Sequence, residues 1–323
     1  MSDWQEFPWQ PDEPNPRRER LSRGGSPQRP NCRLEGADLT RETTPPKDEL
    51  VVWAYNAERG LRLDQQLRAI DEPGMPLPDI VFLSEADRGC TRTGYRNVAR
   101  EWATKLGMYY VYGAEFVELP RIWEPSRRVF PLQTIWRRCE HGNAILSRYP
   151  LGNVRLIRHE KSRSWNSLPQ RIFHVGEPRL GGRMAIAADV RVGERLLRVY
   201  SVHFESGWLA DDFRQAEVGE LIDDAAKVPH GMLIGGDMNC GGYISVLKGE
   251  HDREPVTDAL FASGYADAHA DLPVETRITT RSHAIIDLVF GRGVQFGEGG
   301  VAPHVFWDDL SDHYPVWAKL RLG

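Results

Sequence analysis

A short buried strand that ends on two glycines, an aspartate and an asparagine constrains this chain more than any other segment. The apolar run at residues 231–234 predicts the strand, and Gly-Gly-Asp-Met-Asn follows at 235–239. Residues i and i+2 of an extended backbone share one face, so Asp237 and Asn239 present a carboxylate and a carboxamide side by side. Such a pair can hold a water, a metal ion or a phosphate oxygen, although a plain turn after a strand explains the same residues. The segment therefore predicts a core sheet, and the rest of the chain has to decide between a turn and a site.

Composition limits the class of protein. The 323 residues are 41% hydrophobic and 10% aromatic, enough for a sizeable core in one large domain or two ordinary ones. The net charge of −5 and the pI near 6.1 exclude a polycation, so overall charge does not indicate a nucleic-acid partner. No apolar run approaches the ~18 residues of a transmembrane helix, and the first residues do not resemble a secretory signal. We therefore expect a cytoplasmic protein without a membrane span.

The cysteines support the same expectation. They are scattered along the chain and none is in Cys-x-x-Cys spacing: Cys32, Cys90, Cys139 and Cys240. This pattern favours reduced thiols over a disulfide framework or a zinc site.

The first 47 residues differ from the rest of the chain. They are rich in proline and show no sustained apolar period, so they cannot bury enough surface to offset the entropy of ordering them. Residues 1–47 are therefore predicted to be a poorly ordered tail, and residues 48–323 the folded domain. Arginines between Arg17 and Arg33 make the middle of this tail basic. A solvated arm is the favoured interpretation, and an arm that contacts nucleic acid is the alternative.

Hydrophobic patterns predict many strands and few helices in the folded domain. The predicted strands cover 49–56, 79–85, 109–112, 143–147, 154–159, 185–192, 196–202, 231–237, 285–290 and the end of the chain. Helices are predicted over 60–70, 98–106, 212–225 and 257–263, and a surface loop over 115–140. The sequence has no dinucleotide-binding or Walker phosphate loop and no visible repeat. This pattern predicts an α/β sandwich of two mixed, largely antiparallel β-sheets flanked by helices.

The chain becomes basic between Arg155 and Arg183, and Trp165 and Phe173 are interleaved in this stretch. Cationic and stacking side chains together are typical of surfaces that bind single-stranded nucleic acid. Arg163 and Arg183 are therefore candidates for substrate binding. A solvated loop is the alternative interpretation.

Polar side chains of a few kinds stand at the predicted strand ends or within the strands. They are Asn56, Glu85, His203, Asp237 with Asn239, Asp287, and Asp312 with His313. Loops at one edge of a sheet sandwich can bring such residues together. Their oxygen atoms suit a hard divalent cation such as Mg²⁺ or Mn²⁺, and the absence of a Cys/His set argues against zinc. Each residue alone also has an ordinary explanation, such as a solvated strand end for Glu85 or a turn for Asn56.

Asp287 is the hardest of these residues to explain by structure alone. It stands between apolar residues in a predicted strand, and a buried carboxylate without a partner is costly. His313 is a candidate partner. A carboxylate–imidazole pair fixes the tautomer of the ring and favours its charged form.

The order of these motifs resembles the endonuclease/exonuclease/phosphatase superfamily, also called DNase I-like. The matching segments are Tyr55-Asn56, Leu83-Ser84-Glu85, HGNAILSR at 141–148, SVHFES at 201–206, GGDMN at 235–239, IDLV at 286–289 and SDH at 311–313. The resemblance covers residues 48–322, essentially the whole predicted domain, and lies with uncharacterised bacterial members. It implies a four-layered α/β sandwich and a catalytic domain that hydrolyses a phosphoester with Mg²⁺, for which Mn²⁺ can substitute.

The resemblance implies metal ligands on one side of the site. Glu85 is expected to be the main ligand with Asn56 beside it, and Asp312 to hold the metal or its waters. Glu58 matches a position where some members carry an acid and is a candidate for substrate binding, and Arg183 is a further candidate for phosphate contact.

The remaining residues are expected to handle the water and the phosphate. The resemblance implies that Asp237 orients or deprotonates the attacking water and that Asn239 binds the scissile phosphate. His313, paired with Asp287, is expected to contact a phosphate oxygen, and His203 to face the phosphate from the opposite side.

The expected function is a phosphodiesterase that cleaves nucleic acid, without an obligate protein partner. A phosphatase or phosphodiesterase for a small molecule or lipid headgroup is the rival enzyme, and a non-catalytic phosphate-binding member the third alternative.

Overall fold

The computed structural model describes residues 34–118, 139–165, 179–207 and 209–323. In these ranges the strands are β1 (Glu35–Asp38), β2 (Glu49–Arg59), β3 (Ile80–Arg88), β4 (Tyr109–Glu118), β5 (Glu140–Ser147), β6 (Leu151–Arg158), β7 (Arg179–Gly181), β8 (Met184–Val192), β9 (Arg195–His203), β10 (Met232–Asp237), β11 (Ala266–Asp267), β12 (Asp287–Arg292), β13 (Val294–Val301) and β14 (Val316–Leu322). The helices are α1 (Leu63–Ala69), α2 (Val98–Leu106), α3 (Asp211–Ala225), α4 (Tyr243–Leu247), α5 (Pro255–Ala262) and α6 (His304–Trp307).

Two mixed sheets form the centre of the molecule, as predicted. The first runs in the order β1-β4-β5-β3-β2-β14-β13, with β7 also paired to β4, and the second in the order β11-β12-β10-β9-β8-β6. The pairs β2–β3 and β9–β10 are parallel, and the other neighbouring strands are antiparallel.

Three buried apolar clusters show that the layers stack helix, sheet, sheet, helix. The central cluster lies between the sheets and includes Phe82 and Ile145 of the first sheet and Ile186 and Leu233 of the second. A second cluster packs α1, α2 and α6 on the outer face of the first sheet, and a third packs α3 and α5 on the outer face of the second. The expected four-layered DNase I-like sandwich is confirmed.

Two strands of the first sheet differ from the sequence-based expectation. Strand β1 lies in the segment assigned to the tail and pairs with β4, so the sheet begins at Glu35 rather than near residue 48. Strand β4 continues to Glu118, inside the predicted surface loop over 115–140. The acids Glu115 and Glu118 resemble loop residues in the sequence, yet both are buried and paired with arginines. The rest of that predicted loop and of the tail, at 119–138 and 1–33, lies outside the described residues.

The prediction of reduced cysteines is wrong for one pair. Cys90 and Cys139 form a disulfide although 49 positions separate them, whereas Cys240 is a free, buried thiol. Sequence spacing did not indicate the pair because β3 and β5 become neighbours only in the folded sheet. Disulfides are typical of oxidising compartments, so the cysteines no longer support a cytoplasmic location. In the described ranges, no helix has the length and apolar character needed to cross a membrane.

Candidate active site

Irregular backbone near the carboxyl ends of β2 and β3, two central strands of the first sheet, presents the candidate metal ligands. The pairing of β2 with β3 shifts between Asn56 and Arg59, and that of β3 with β5 shifts between Leu83 and Ala86. Glu58 and Glu85 stand at these shifts with φ of 45° and 52°. A bulge re-aims the side chains of its strand, and left-handed backbone at non-glycine residues is concentrated at functional sites. These strand ends therefore point carboxylates out of the sheet.

Two glycines bring the second sheet close to these strand ends. A side chain at Gly235 would place Cβ 2.2 Å from the Phe82 ring of the first sheet. Gly236 has φ of 139°, and a Cβ there would lie 2.1 Å from the Val202 carbonyl oxygen. Only glycine satisfies both the close approach and the backbone angle. The sheets consequently meet at the end of β10, where Asn56 Nδ2 donates to Asp237 Oδ2 over 3.0 Å.

Asp237 lies at the centre of the cluster. In the sheet it is opposite His203 of β9 on one side and Asp287 of β12 on the other. Its Oδ2 lies 3.6 Å from His203 Nε2 and 3.9 Å from His313 Nε2. The carboxylate is buried, and Oδ1 accepts the backbone N–H of Asn239 at 2.9 Å.

Asn239 lies beside Asp237, but not through the extended geometry expected from the sequence. The strand ends at Asp237, and Asn239 has a left-handed φ of 51°. The hydrogen bond from its N–H to Asp237 makes the tight turn that brings the two side chains together. Its carboxamide donates to the Phe204 carbonyl at 2.9 Å, which leaves a second amide hydrogen for another acceptor.

Asp287 and His313 form the carboxylate–imidazole pair expected from the sequence. His313 Nδ1 donates to Asp287 Oδ2 over 2.7 Å, and Asp287 is fully buried as the first residue of β12. Burial works to lower the pKa of His313, but the Asp287 carboxylate overcomes it and raises this pKa. His313 is therefore held as an imidazolium whose Nε2–H faces Asp237.

Negative charge accumulates beside Asn56. Burial raises the pKa of Glu58, and the nearby Asp312 and Glu85 carboxylates raise it further. For Glu85, burial opposes ionisation, but His141, His203 and Arg59 lower its pKa well below the usual range, so it is ionised. Clustered oxygen donors that repel one another fit a hard divalent cation. Glu85, Asp312 and Asn56 are the residues that would hold Mg²⁺.

The two arginine candidates occupy different environments. Arg183 is buried behind His203, where Nη1 lies 2.7 Å from His203 Nδ1 and donates to Glu115 Oε2 over 3.0 Å. It therefore faces the back of His203 rather than the open side of the site. Arg163 is exposed, and its guanidinium carbon lies 5.5 Å from the centre of the Trp165 ring.

Three cations in the described part of the basic stretch are paired with acids of the protein. Arg155 forms an ion pair with Asp224, Arg179 with Glu118 and Arg183 with Glu115. Phe173 lies outside the described residues. The described part of this stretch is therefore less suited to bind an extended polyanion than its sequence indicated.

Sequence reasoning missed three residues that support the site. Glu115 contacts Arg183 and Asn143 from β4, and His141 of β5 donates from Nδ1 to Asp87 Oδ1 over 3.0 Å. Asp87 stands two positions after Glu85, and His141 opens one of the matched motifs. Those two positions were signals that could have been used. Glu115 had none, because it stood in a predicted loop.

The two-sheet sandwich, with carboxylates, carboxamides and histidines gathered at its strand ends, has the DNase I-like fold. The sequence model of the Endonuclease/Exonuclease/phosphatase family matches residues 53–313. The chain belongs to this family, whose members hydrolyse phosphoesters. Comparison by sequence with curated proteins gives no match.

Solved structures share the fold at low sequence identity. An endonuclease/exonuclease/phosphatase from Beutenbergia cavernae is 15% identical, with a TM-score of 0.59 over 86% of this chain and 72% of that one. A humanized D. rerio TDP2 is 13% identical, with a TM-score of 0.57 over 85% of this chain and 100% of that one. The human Nocturnin catalytic domain, solved with a bound sulfate anion, is 16% identical, with a TM-score of 0.53 over 90% of this chain and 98% of that one. These similarities establish the architecture.

Proposed function

We propose that the chain is a Mg²⁺-dependent phosphodiesterase that cleaves nucleic acid, with Mn²⁺ as a substitute ion. The observation that carries the proposal is the convergence of both sheets on Asp237 Oδ2, which accepts from Asn56 and lies within 4 Å of the Nε2 atoms of His203 and His313. Family membership makes phosphoester hydrolysis the class of reaction. The catalytic domain in this proposal comprises residues 48–323 together with β1.

Asp237 is the residue that acts on the attacking water. Its two oxygens are oriented by different donors, Asn56 on Oδ2 and the Asn239 backbone on Oδ1, so the carboxylate cannot rotate freely. A water bound at Oδ2 gives up its proton there as its oxygen attacks phosphorus in line with the leaving group. The pairing with Asn56 fixes the direction of that attack.

Fixed donors stabilise the charge that develops on the phosphate. His313 donates from Nε2 while Asp287 holds Nδ1–H, and Asn239 supplies its second amide hydrogen. His203 approaches from the other flank, with its ring held by Arg183. Mg²⁺ at Glu85, Asp312 and Asn56 would neutralise phosphate charge and acidify a bound water.

A small phosphoester or lipid headgroup is the second candidate substrate. The internal ion pairs of Arg155, Arg179 and Arg183 favour it, because cations already paired with acids contribute little to binding a long polyanion. A non-catalytic phosphate-binding member is disfavoured, since binding alone does not require the full set of acids around Asp237.

A substrate panel tests the proposal. Duplex DNA, single-stranded DNA, RNA, phospholipid and inositol phosphates are incubated with Mg²⁺ and the wild type, the Asp237→Asn variant, or an Asp258→Asn control on α5, outside the site. We expect nucleic acid to be cleaved by the wild type and the control, and Asp237→Asn to lose activity by orders of magnitude. Binding of nucleic acid should weaken steeply with salt.

Two outcomes would change the assignment. Cleavage of only lipid or small phosphoesters, with a flat salt response, would replace nucleic acid by the second candidate. Equal turnover by Asp237→Asn and the control would refute the water-activating role of Asp237.

A further inference from the structure

His141 has a ring nitrogen that the proposed hydrolytic mechanism leaves unused. The side chain is fully buried on β5, and its Nε2 has no hydrogen-bond partner among the residues that the structure describes. Burying a polar atom without a partner is costly. The other nitrogen, Nδ1, lies 3.0 Å from Asp87 Oδ1 and donates to it, so Nε2 is the ring atom left to bind an ion.

The Nε2 atom of His141 shares its surroundings with Glu85 and His203. One ligand atom from each of the three side chains lies within 4.8 Å of the others, and His203 Nε2 is 3.9 Å from Glu85 Oε1. In a tetrahedral zinc site, ligand atoms at 2.0–2.2 Å from the metal are roughly 3.3 Å apart. Small side-chain rotations therefore bring these atoms to the spacing of a metal site.

Groups behind the two histidines complete a typical metal environment. Asp87 orients His141 and is itself bonded to Arg92 through both carboxylate oxygens. Carboxylates that accept the distal N–H of a ligating histidine hold its tautomer and raise its basicity. Glu115 Oε2 stands in the same position toward His203, 3.4 Å from Nδ1.

The ring proton of His203 has to move when Nε2 of this histidine binds an ion. Arg183 Nη1 lies 2.7 Å from Nδ1 and, being only a donor, places the ring proton on Nε2 in the ion-free protein. An ion bound at Nε2 would displace the ring proton to Nδ1, and the new Nδ1–H would donate a hydrogen bond to Glu115 Oε2. Arg183 moves off Nδ1 and keeps its own bond to Glu115. The exchange of tautomers leaves the net charge of the ring unchanged.

We propose that Glu85, His141 and His203 form a binding site for Zn²⁺ or a similar transition-metal ion. Two imidazoles and a carboxylate are a ligand set found in protein zinc sites with three protein ligands and a fourth position open to water or substrate. The sequence argued against zinc because it shows no Cys/His set; His141 and His203 are 62 positions apart, and only the fold brings them together. The site shares Glu85 with the candidate magnesium site but differs from it in donor chemistry, since Mg²⁺ prefers oxygen.

Co²⁺ binding to the metal-stripped full chain tests the site without any substrate. Co²⁺ gives visible ligand-field absorption where Zn²⁺ is silent. We expect one equivalent of Co²⁺ to produce a band that Zn²⁺ bleaches and excess Mg²⁺ does not. Because the readout is binding, its failure is distinct from a failure of the proposed phosphodiesterase activity.

Matched variants locate the ion. Asp87→Asn should lower Co²⁺ affinity by about 10- to 100-fold, and His141→Gln by more. His159→Gln should leave it unchanged. His159 is also buried with a carboxylate, Glu220, on Nδ1 and no partner on Nε2, yet it belongs to no three-ligand group in the described ranges. Asp312→Asn, which removes a magnesium ligand, should also keep the band.

Two results would overturn the proposal. One is equal Co²⁺ affinity in the wild type and a folded His141→Gln variant. The other needs no variant: X-ray absorption of the zinc-loaded wild type that shows no imidazole in the metal shell.

Discussion

Asp237 shows how much of the site depends on one side chain. Each of its oxygens has a donor, Asn56 from the other sheet and Asn239 from the next turn, and both histidine Nε2 atoms approach it. The neighbouring Asp287 differs, because one of its oxygens is bonded to His313 and the other, Oδ1, is buried without a hydrogen-bond partner in the described part of the chain. The aspartates of these adjacent strands are thus proposed to have different roles: Asp237 acts on the water, and Asp287 holds His313.

Asp287→Asn should impair catalysis more than binding. The amide cannot hold the imidazolium form of His313, so a donor that acts in the transition state is lost. We expect kcat to fall by roughly 10²- to 10⁴-fold, by analogy with the loss of a triad aspartate, with KM changed little. Steady-state kinetics measures both, and circular dichroism checks the fold. A kcat close to that of the wild type would contradict the pairing's catalytic role.

Glu217 on α3 should make stability depend on pH. Burial raises its pKa to about 7 from 4.5, although His159 and Arg183 act to lower it. As pH rises through this interval the unfolded chain ionises while the folded chain retains the proton. The contribution of protonated Glu217 to stability is therefore fully present below about pH 4.5 and is lost as pH rises through about 7.

Glu217→Gln removes this dependence. The difference in free energy of unfolding between the variant and the wild type should increase by on the order of 2–3 kcal/mol, in favour of the variant, from about pH 5 to about pH 8. Urea titrations at each pH measure this difference. A difference that stays constant with pH would show that Glu217 does not titrate in this way.

Strand β10 is the element in which the fold restricts the choice of residues most strictly. Gly235 and Gly236 allow the sheets to approach and the backbone to turn, and Asp237 follows at once. The glycines were readable from the sequence as a break in a strand. The reason that glycine is needed, close contact with Phe82 and Val202, could not be predicted without the strand register of both sheets.

Gly236→Ala should destabilise the protein by more than about 3 kcal/mol, because its Cβ would overlap a backbone oxygen at a left-handed φ. Gly219→Ala on α3 is the matched control. Apart from its chain neighbours and the backbone of its own helix, no described atom lies within 4 Å of its added Cβ, so alanine should stabilise the helix by roughly 0.5–1 kcal/mol. Denaturant unfolding of both variants measures the contrast, and equal effects would contradict the account of β10.

At the scale of the whole molecule, the sequence predicted what local patterns determine. Helix α2 over Val98–Leu106 and the β8–β9 hairpin form where periodicity placed them. Residues that distant strands bring together were harder to foresee. The Cys90–Cys139 disulfide, the proximity of His141 and His203, and the internal pairing of the basic stretch all depend on strand order, which no local pattern contains.

The predicted site residues illustrate the same limit. Their clustering could be expected from motif order, and the structure brings Asn56, His203, His313 and Asp287 together around Asp237. The direction in which each side chain points could not be expected from motif order. Arg183 was expected to contact phosphate, yet Glu115 on β4 holds it behind His203.

Metal dependence of turnover is the measurement that tests the central claim most directly. The rate on the best substrate of the panel is recorded after EDTA treatment and during Mg²⁺ titration, for the wild type and Glu85→Gln. The wild type should be inactive after EDTA and recover fully with Mg²⁺, whereas Glu85→Gln should need far more Mg²⁺ and recover only in part. Turnover that survives EDTA, or identical Mg²⁺ curves for the two proteins, would contradict a metal-dependent hydrolase centred on Glu85 and Asp237.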